Sequence, residues 1–450
     1  MRNVSLSGFL LLSLLALIPA ACTAQSDQTG SQSPNSTGTS EVAVRSVRET
    51  DWPRFRGPEG NGHSASTGLP VEWSDGGSET KNVVWKTKLP GGGSSSAVVW
   101  DDHIYVTSYT GYLVPGEDRG NLSDLTRHLV CLDRESGTIL WDKEVAARQP
   151  EEENIRDHGF AANTVASDEN GVCVFFGKSG VYAFSHDGEQ QWQHDVGSGT
   201  HGWGTAASPV FYEDLVFVNA SVESESLIAL DRKTGDERWR AGGIKESWNT
   251  PVVVATPSGD EELVIAVHGK VLGFNPTSGE QLWSCDTDIT WYMVPSIVSD
   301  AGIVYVLGGR SGVAGLAVKT GGRGDVTSTH RLWTSQKGSN VTSPVFQEGY
   351  LYWMHENIGI AYCAEAKTGE LVYEERMNRS GQVYASSILA NGRVYYLTRS
   401  GRTFVVAAKP EFELIATNDL EEGGQFNASP SVSGNRLLIR SDRFLYCLGE

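Results

Sequence analysis

The sequence is short of the features that announce chemistry. It has six Cys in 450 residues, none adjacent to another and none in a Cys-x-x-Cys spacing. That excludes a dithiol redox pair, a zinc knuckle and a Cys-x-x-Cys-His haem attachment. Its ten His are scattered, with no His-x-His or His-x-x-x-His pair to chelate a metal. No Gly-x-Ser-x-Gly elbow appears, and the glycine run Gly91-Gly-Gly93 has no helix after it to present amides to a phosphate. Positive charge is scarce: 36 Lys and Arg face 55 Asp and Glu, a net charge of −19. That balance excludes a nucleic-acid partner, which needs a basic footprint, and broad docking on anionic lipid. Long apolar runs are also missing. The longest, Phe9–Ile18, is interrupted by Ser13 and is too short for a comfortable membrane span.

That one run has a meaning of its own. Arg2 precedes it, and Pro19-Ala-Ala-Cys22 comes directly after it. The arrangement resembles a bacterial lipoprotein signal, which implies removal of residues 1–21 and acylation of Cys22. Pro19 stands where such signals usually carry Leu, so an ordinary secretory signal is the alternative; export is expected either way. Thr23, and not Asp, comes after Cys22, as in lipoproteins released to the outer membrane. Residues 22–50 are rich in Ser, Thr, Gln, Asn and Gly and read as a flexible tether. Residues 51–82 open with Asp51-Trp-Pro-Arg-Phe-Arg-Gly-Pro58 and have no repeat character. This segment is expected to cap one end or side of the domain formed by residues 83–450.

From Val83 onward the chain is repetitive. Asp133-Arg-Glu-Ser-Gly137 leads to Trp141, Asp231-Arg-Lys-Thr-Gly235 to Trp239, and Asn275-Pro-Thr-Ser-Gly279 to Trp283. Weaker copies run from Asp187-Gly188 to Trp192, Lys319-Thr-Gly321 to Trp333 and Lys367-Thr-Gly369 to Tyr373. Each copy is preceded by short β-rich runs, and a repeat of about fifty residues built this way marks a β-propeller. The copies predict an all-β, eight-bladed propeller of four-stranded antiparallel blades over 83–450, with seven blades as the alternative. The last blade lacks a Trp-bearing strand, and Val83–Leu89 is a strand lacking its blade, so the two are expected to join and close the ring. Inner strands open with Ser208-Pro-Val210, Thr250-Pro-Val252 and Ser343-Pro-Val345, where proline at a strand's start removes no needed donor. Cys131, Cys363 and Cys447 share one repeat column with Ala183, Ala229, Gly273 and Gly315. They read as small packed side chains, unpaired because equivalent positions in separate blades are far apart. Arg323-Gly-Asp325 reads as a loop insertion in blade five.

The Asp-x-x-Thr-Gly-x-x-x-Trp repeat resembles that of the pyrroloquinoline-quinone (PQQ) type propellers, in an exported bacterial branch that is BamB-like in shape. The resemblance covers about 83–449 and is specific for fold. Quinoprotein dehydrogenases of this superfamily carry a vicinal Cys-Cys disulfide over the quinone and Ca²⁺ held by Glu, Asn and Asp. This chain has no such Cys pair, so no catalytic residue is carried over, and neither PQQ nor calcium is expected.

One constellation remains. Loops leading into the inner strands share a face with loops joining the second and third strands. There the repeats place Phe160, Trp203, Trp248, Trp291, Tyr384 and Phe426, with His158, His201, Asn249, Asn340 and Asn427 close by. This is either a binding mouth for a peptide, a glycan or a small aromatic ligand or a set of wedges that pack the channel shut. The sequence thus leads to a monomeric, non-enzymatic, lipid-anchored scaffold on the periplasmic side of the bacterial envelope, with envelope proteins as partners. A PQQ-dependent oxidoreductase and a glycan or peptide receptor are the alternatives.

Overall fold

A computed structural model describes residue 48 and residues 50–76, 80–421 and 424–450. The signal segment, Cys22 and nearly all of the tether lie outside these residues. Eight sheets form, each with four antiparallel strands, and in all but one the strands follow sequence order from the axis outward. The inner strands are Val98–Trp100, Ala166–Asp168, Val210–Tyr212, Val252–Ala255, Val298–Asp300, Val345–Gln347, Ile388–Ala390 and Ser431–Ser433. This settles eight blades over seven. Burial tracks radius. In blade one the second strand His103–Thr110 is buried along all but its ends, because blades cover both of its faces. The outer strand Ile139–Ala146 mostly alternates between half-buried and exposed positions, as a strand with one wet face must.

Blade eight is closed from the front of the chain. Val83–Lys88 pairs antiparallel with Phe444–Leu448, with Trp85 opposite Cys447. Pairing the termini leaves no unfilled blade edge in the ring.

The repeat motif works between blades. The column expected to hold small residues stands opposite the outer-strand aromatic: Cys131 faces Trp141, Ala183 faces Trp192 and Cys363 faces Tyr373. In blade five the facing residue of Trp333 is Ala317, not Gly315, which sits two residues earlier and faces Ser335. Trp283 keeps to its own blade, its Nε1 donating to Glu262 at 2.7 Å, but other indoles reach into the next one. Trp141 Nε1 donates to the His186 carbonyl at 2.9 Å, Trp192 Nε1 to Arg232 at 2.9 Å and Trp239 Nε1 to Pro276 at 3.0 Å. Cys131, Cys173, Cys285, Cys363 and Cys447 are all free and buried, each in a different blade.

Two short strands join the ring from outside the repeats. Gly324–Asp325 adds a fifth, parallel strand to blade four beside Trp283 and Ser284, so the blade-five insertion serves as an edge cover for its neighbour. His63–Ser64 pairs with the inner strand of blade seven, opposite Leu389 and Ala390.

The leading segment divides in two. Residues 51–64 enter the channel, while Val71 to Ser74 lie along the side of the ring at the outer strand of blade seven, where the Trp73 amide donates to Asn418 Oδ1 at 3.0 Å. Trp52 exchanges backbone hydrogen bonds with Val99 of blade one, and Ser167 of blade two donates to the Pro53 carbonyl. Arg56, 2 % exposed, donates to the carbonyls of Asn61 and, in blade six, Pro344. Leu389 of blade seven donates to the Gly62 carbonyl. Inner strands have unpaired backbone groups along the axis, and this segment satisfies some of them in blades one, two, six and seven. Gly62 is at φ +81°, where a Cβ would meet the Ser387 carbonyl at 2.9 Å. The result is a plug.

Candidate functional site

Above the plug, the inner strands build a girdle of hydroxyls. The backbone amides of Ser96, Thr164, Ser208, Thr250, Ser296, Ser343 and Ser386 each donate to the hydroxyl one blade on, ending at Ser429, at 2.9–3.3 Å. One Ser or Thr per blade at this column explains the Ser-Pro-Val and Thr-Pro-Val starts seen in the sequence. The chain of bonds leaves Ser96 Oγ buried without a partner.

Strand alternation then dictates what stands above. Two residues before each girdle position the side chain again faces the axis. Those residues are Ser94, Ala162, Ala206, Trp248, Val294, Val341, Tyr384 and Asn427, and all line one cavity. Phe55 of the plug also lines it, from the axis below. The space is about 600 Å³ and opens on the mouth face.

Of the eleven residues expected at the mouth, His158, Trp203, Trp248, Asn340, Tyr384 and Asn427 line this cavity. The other five do not. Phe160 is buried beneath Tyr109, 5.4 Å between ring centres, within the packed long loop of blade one. Phe426 is buried against Tyr446 at 6.0 Å. Asn249 is fully buried and bonds Ser247 Oγ at 2.9 Å and the Ala266 carbonyl. Asn249 and Phe426 stand at odd offsets from their girdle positions, Thr250 and Ser429, so their side chains turn away from the axis; Phe160 lies further back, in the loop packed on Tyr109 and Tyr112. Trp291 lies outside the lining, with the Arg310 guanidinium 4.9 Å over its ring. His201 meets Trp248 edge to face, 5.0 Å between ring centres, and does not line the cavity. Channel packing and open mouth are thus both present, divided among residues the repeats had grouped together.

The cavity also holds residues the sequence reading passed over: Tyr292, Arg156, Arg310, His355, Glu356, Asn357 and Gln382. Arg310 and residues 355–357 lie between second and third strands of blades five and six, the loop class already assigned to this face. Reading all eight such loops would have found them.

The polar geometry is specific. Glu356 is 3 % exposed, and its Oε2 accepts from Ser339 Oγ and the Asn340 amide, both at 3.1 Å, with His355 Nδ1 at 3.3 Å. Its other oxygen accepts from Asn357 Nδ2 at 3.1 Å. Asn340 donates to Tyr292 Oη at 3.2 Å, while its own Oδ1 is buried and unpartnered. Arg399 lies 4.3 Å over Tyr384, donates to Asn427 Oδ1 at 2.8 Å and pairs with Asp157 at 3.5 Å. The Arg156 guanidinium lies 4.3 Å over Trp203. Among the described residues neither Arg156 nor Arg310 has a carboxylate partner. Burial holds His158 below the usual imidazole range, and its Nε2 has no hydrogen-bond partner. Burial also raises the Tyr384 phenol.

Fold and site together define an eight-bladed propeller of PQQ-like repeats whose axis is closed at one end. The chain belongs to the family described as outer membrane protein assembly factor BamB, which matches residues 77–243 and 245–411. It is 21 % identical over 374 residues to the outer membrane protein assembly factor BamB of Burkholderia pseudomallei (strain K96243), covering 79 % of this chain and 84 % of that protein. In structure it is similar to BamB from Moraxella catarrhalis, with TM-score 0.57, 14 % identity and coverage of 82 % of this chain and 97 % of that one. It is also similar to the quinohemoprotein alcohol dehydrogenase of Comamonas testosteroni, with TM-score 0.61, 12 % identity and coverage of 89 % and 80 %. At these identities the structural likenesses speak for the fold alone.

Proposed function

We propose that this chain is a non-enzymatic scaffold for outer-membrane protein assembly, held in the bacterial envelope by a lipid on Cys22. The observation that carries this reading is the family match over two successive segments that span most of the ring. The dehydrogenase alternative is weaker on the donor set. The five described Cys sit in five separate blades, so none lies beside another. Among the described residues no three His, Cys, Asp or Glu gather to hold a metal. The residues present therefore do not fit a quinone with its calcium, and we derive no step through one.

Radiolabelled palmitate incorporation and membrane fractionation test the anchor: wild type labels and sediments with outer membrane, and Cys22→Ser does neither. Photo-crosslinking in cells, from probes spaced around the blades, tests the scaffold. Crosslinks to envelope assembly proteins are expected, and a chain that crosslinks to none of them contradicts the proposal.

A second reading is favoured by one observation. The cavity is blind and aromatic-walled, and carries unpaired buried polar atoms on Ser96 and Asn340, so it suits a small-ligand receptor as well.

A further inference from the structure

We propose that the mouth cavity is a binding site for a short acidic glycan, a sugar chain bearing ring carboxylates. This rests on the receptor reading and gives it a ligand class.

Size and shape come first. About 600 Å³ closed below by Phe55 lies within the range of small-ligand pockets, about 300–1,000 Å³. Because the plug fills the axis, a ligand enters and leaves by the mouth alone. The walls then choose the chemistry. Trp203, Trp248, Tyr292 and Tyr384 offer flat apolar faces to the C–H faces of pyranose rings. Sugar hydroxyls both donate and accept. Asn357, Gln382 and Asn427, all lining the cavity, carry side-chain amides that can both donate to and accept from them.

An extended peptide fits less well. Strand addition needs a free backbone edge. Here seven inner-strand amides are already committed to the hydroxyl girdle, and residues 52–64 occupy the axis below it.

Charge supplies the acidic part. The whole chain carries −19, yet two cavity-lining guanidiniums, Arg156 and Arg310, have no carboxylate partner among the described residues. Each lies over an indole, at 4.3 Å and 4.9 Å, a contact that uses none of its N–H donors; Arg310 spends one of them on Tyr292 Oη at 3.4 Å. Planar forks held this way suit bidentate pairing with a carboxylate. Glu356, its oxygens engaged by the donors around it, orients Asn340 and Asn357 toward the cavity.

The test uses the purified full-length chain and monitors Trp fluorescence and heat of binding. The probes are trigalacturonic acid, maltotriose and a triglutamate peptide. Trigalacturonic acid is expected to bind, and maltotriose at least about tenfold more weakly. Arg156→Gln with Arg310→Gln should weaken the acidic sugar by at least about tenfold at unchanged melting temperature. Asn340→Asp places a carboxylate at that position and should weaken it further. If triglutamate binds as tightly as trigalacturonic acid, the receptor reading stands and the glycan inference falls. If none of the three binds, both fall. Unchanged affinity in the arginine variant would also overturn the inference.

Discussion

Gly235 lies directly under the indole of Trp192, one blade back. A Cβ at Gly235 would stand 2.7 Å from Trp192 Cδ2, closer than carbon atoms can approach, and the residue sits at φ +76°. The same relation joins Gly137 to Trp85, Gly188 to Trp141, Gly279 to Trp239 and Gly369 to Trp333. The Asp-x-x-Thr-Gly turn and the Trp of one repeat are therefore not partners of each other. In these five pairs the turn accepts the Trp of the preceding blade; the blade-five turn at Gly321 is the exception, because Trp283 turns back to Glu262 of its own blade.

Gly235→Ala adds overpacking to left-handed strain. The strain costs about 1–2 kcal/mol and the overpacking about 1–3 kcal/mol more. Gly243, at φ +82° with nothing within 4 Å of an added Cβ, isolates the first effect. Urea unfolding should show Gly235→Ala clearly below Gly243→Ala in midpoint. Equal losses would mean the indole does not clamp the turn.

The plug should contribute to the ring's stability. Trp52 is 1 % exposed and packs in the core shared by blades seven, eight and one. Trp52→Ala should cost about 3–5 kcal/mol in thermal or urea unfolding, the usual range for a large buried aromatic. A loss below about 1 kcal/mol would show that residues 51–64 dock loosely and that the cavity has no fixed floor.

Glu223, on the short helix Ser221–Ser224, gives the fold a pH dependence. It is buried beside the Arg127–Glu151 ion pair, and desolvation pushes its carboxyl up to about 8 from 4.5. Between those values the unfolded chain releases this proton and the folded chain keeps it. The group's effect therefore favours folding most below about pH 4.5, and that contribution is lost as pH rises to about 8, above which it is constant. Glu223→Gln removes this slope. The comparison is the pH profile of unfolding free energy for the two proteins, and parallel profiles from pH 5 to 8 would refute the assignment.

The cysteines should be silent. Burial pushes the thiols of Cys131, Cys363 and Cys447 up to about 12 and that of Cys285 to about 11, and raises Cys173 as well. A chain beginning after Cys22 should give no reaction with a disulfide reagent at pH 8 when folded, and five thiols in denaturant. Rapid labelling of any one in the native protein would place it outside the packed column.

The fold was legible because its signals are periodic. The turn glycines, the outer-strand Trp and the unfilled final blade led to eight sheets and to closure by Val83–Lys88. The mouth was half legible. Grouping aromatics by nearness to the inner strand ignored the two-residue alternation, so Phe426 and Asn249 were placed with Tyr384 and Asn427 although their side chains turn the other way. The plug was not legible at all. It is held by backbone bonds to blades one, two and seven and by the Arg56 guanidinium on a blade-six carbonyl, and such pairing leaves no period in Asp51–Ser64 to read.

The most direct measurement of the central claim is the amount of β-barrel protein in outer membranes of cells lacking this chain, measured by quantitative mass spectrometry beside cells carrying it. A several-fold fall in folded β-barrel proteins is expected, restored by the wild-type gene and not by a Cys22→Ser form. Unchanged β-barrel levels in the deletion strain would contradict an assembly scaffold.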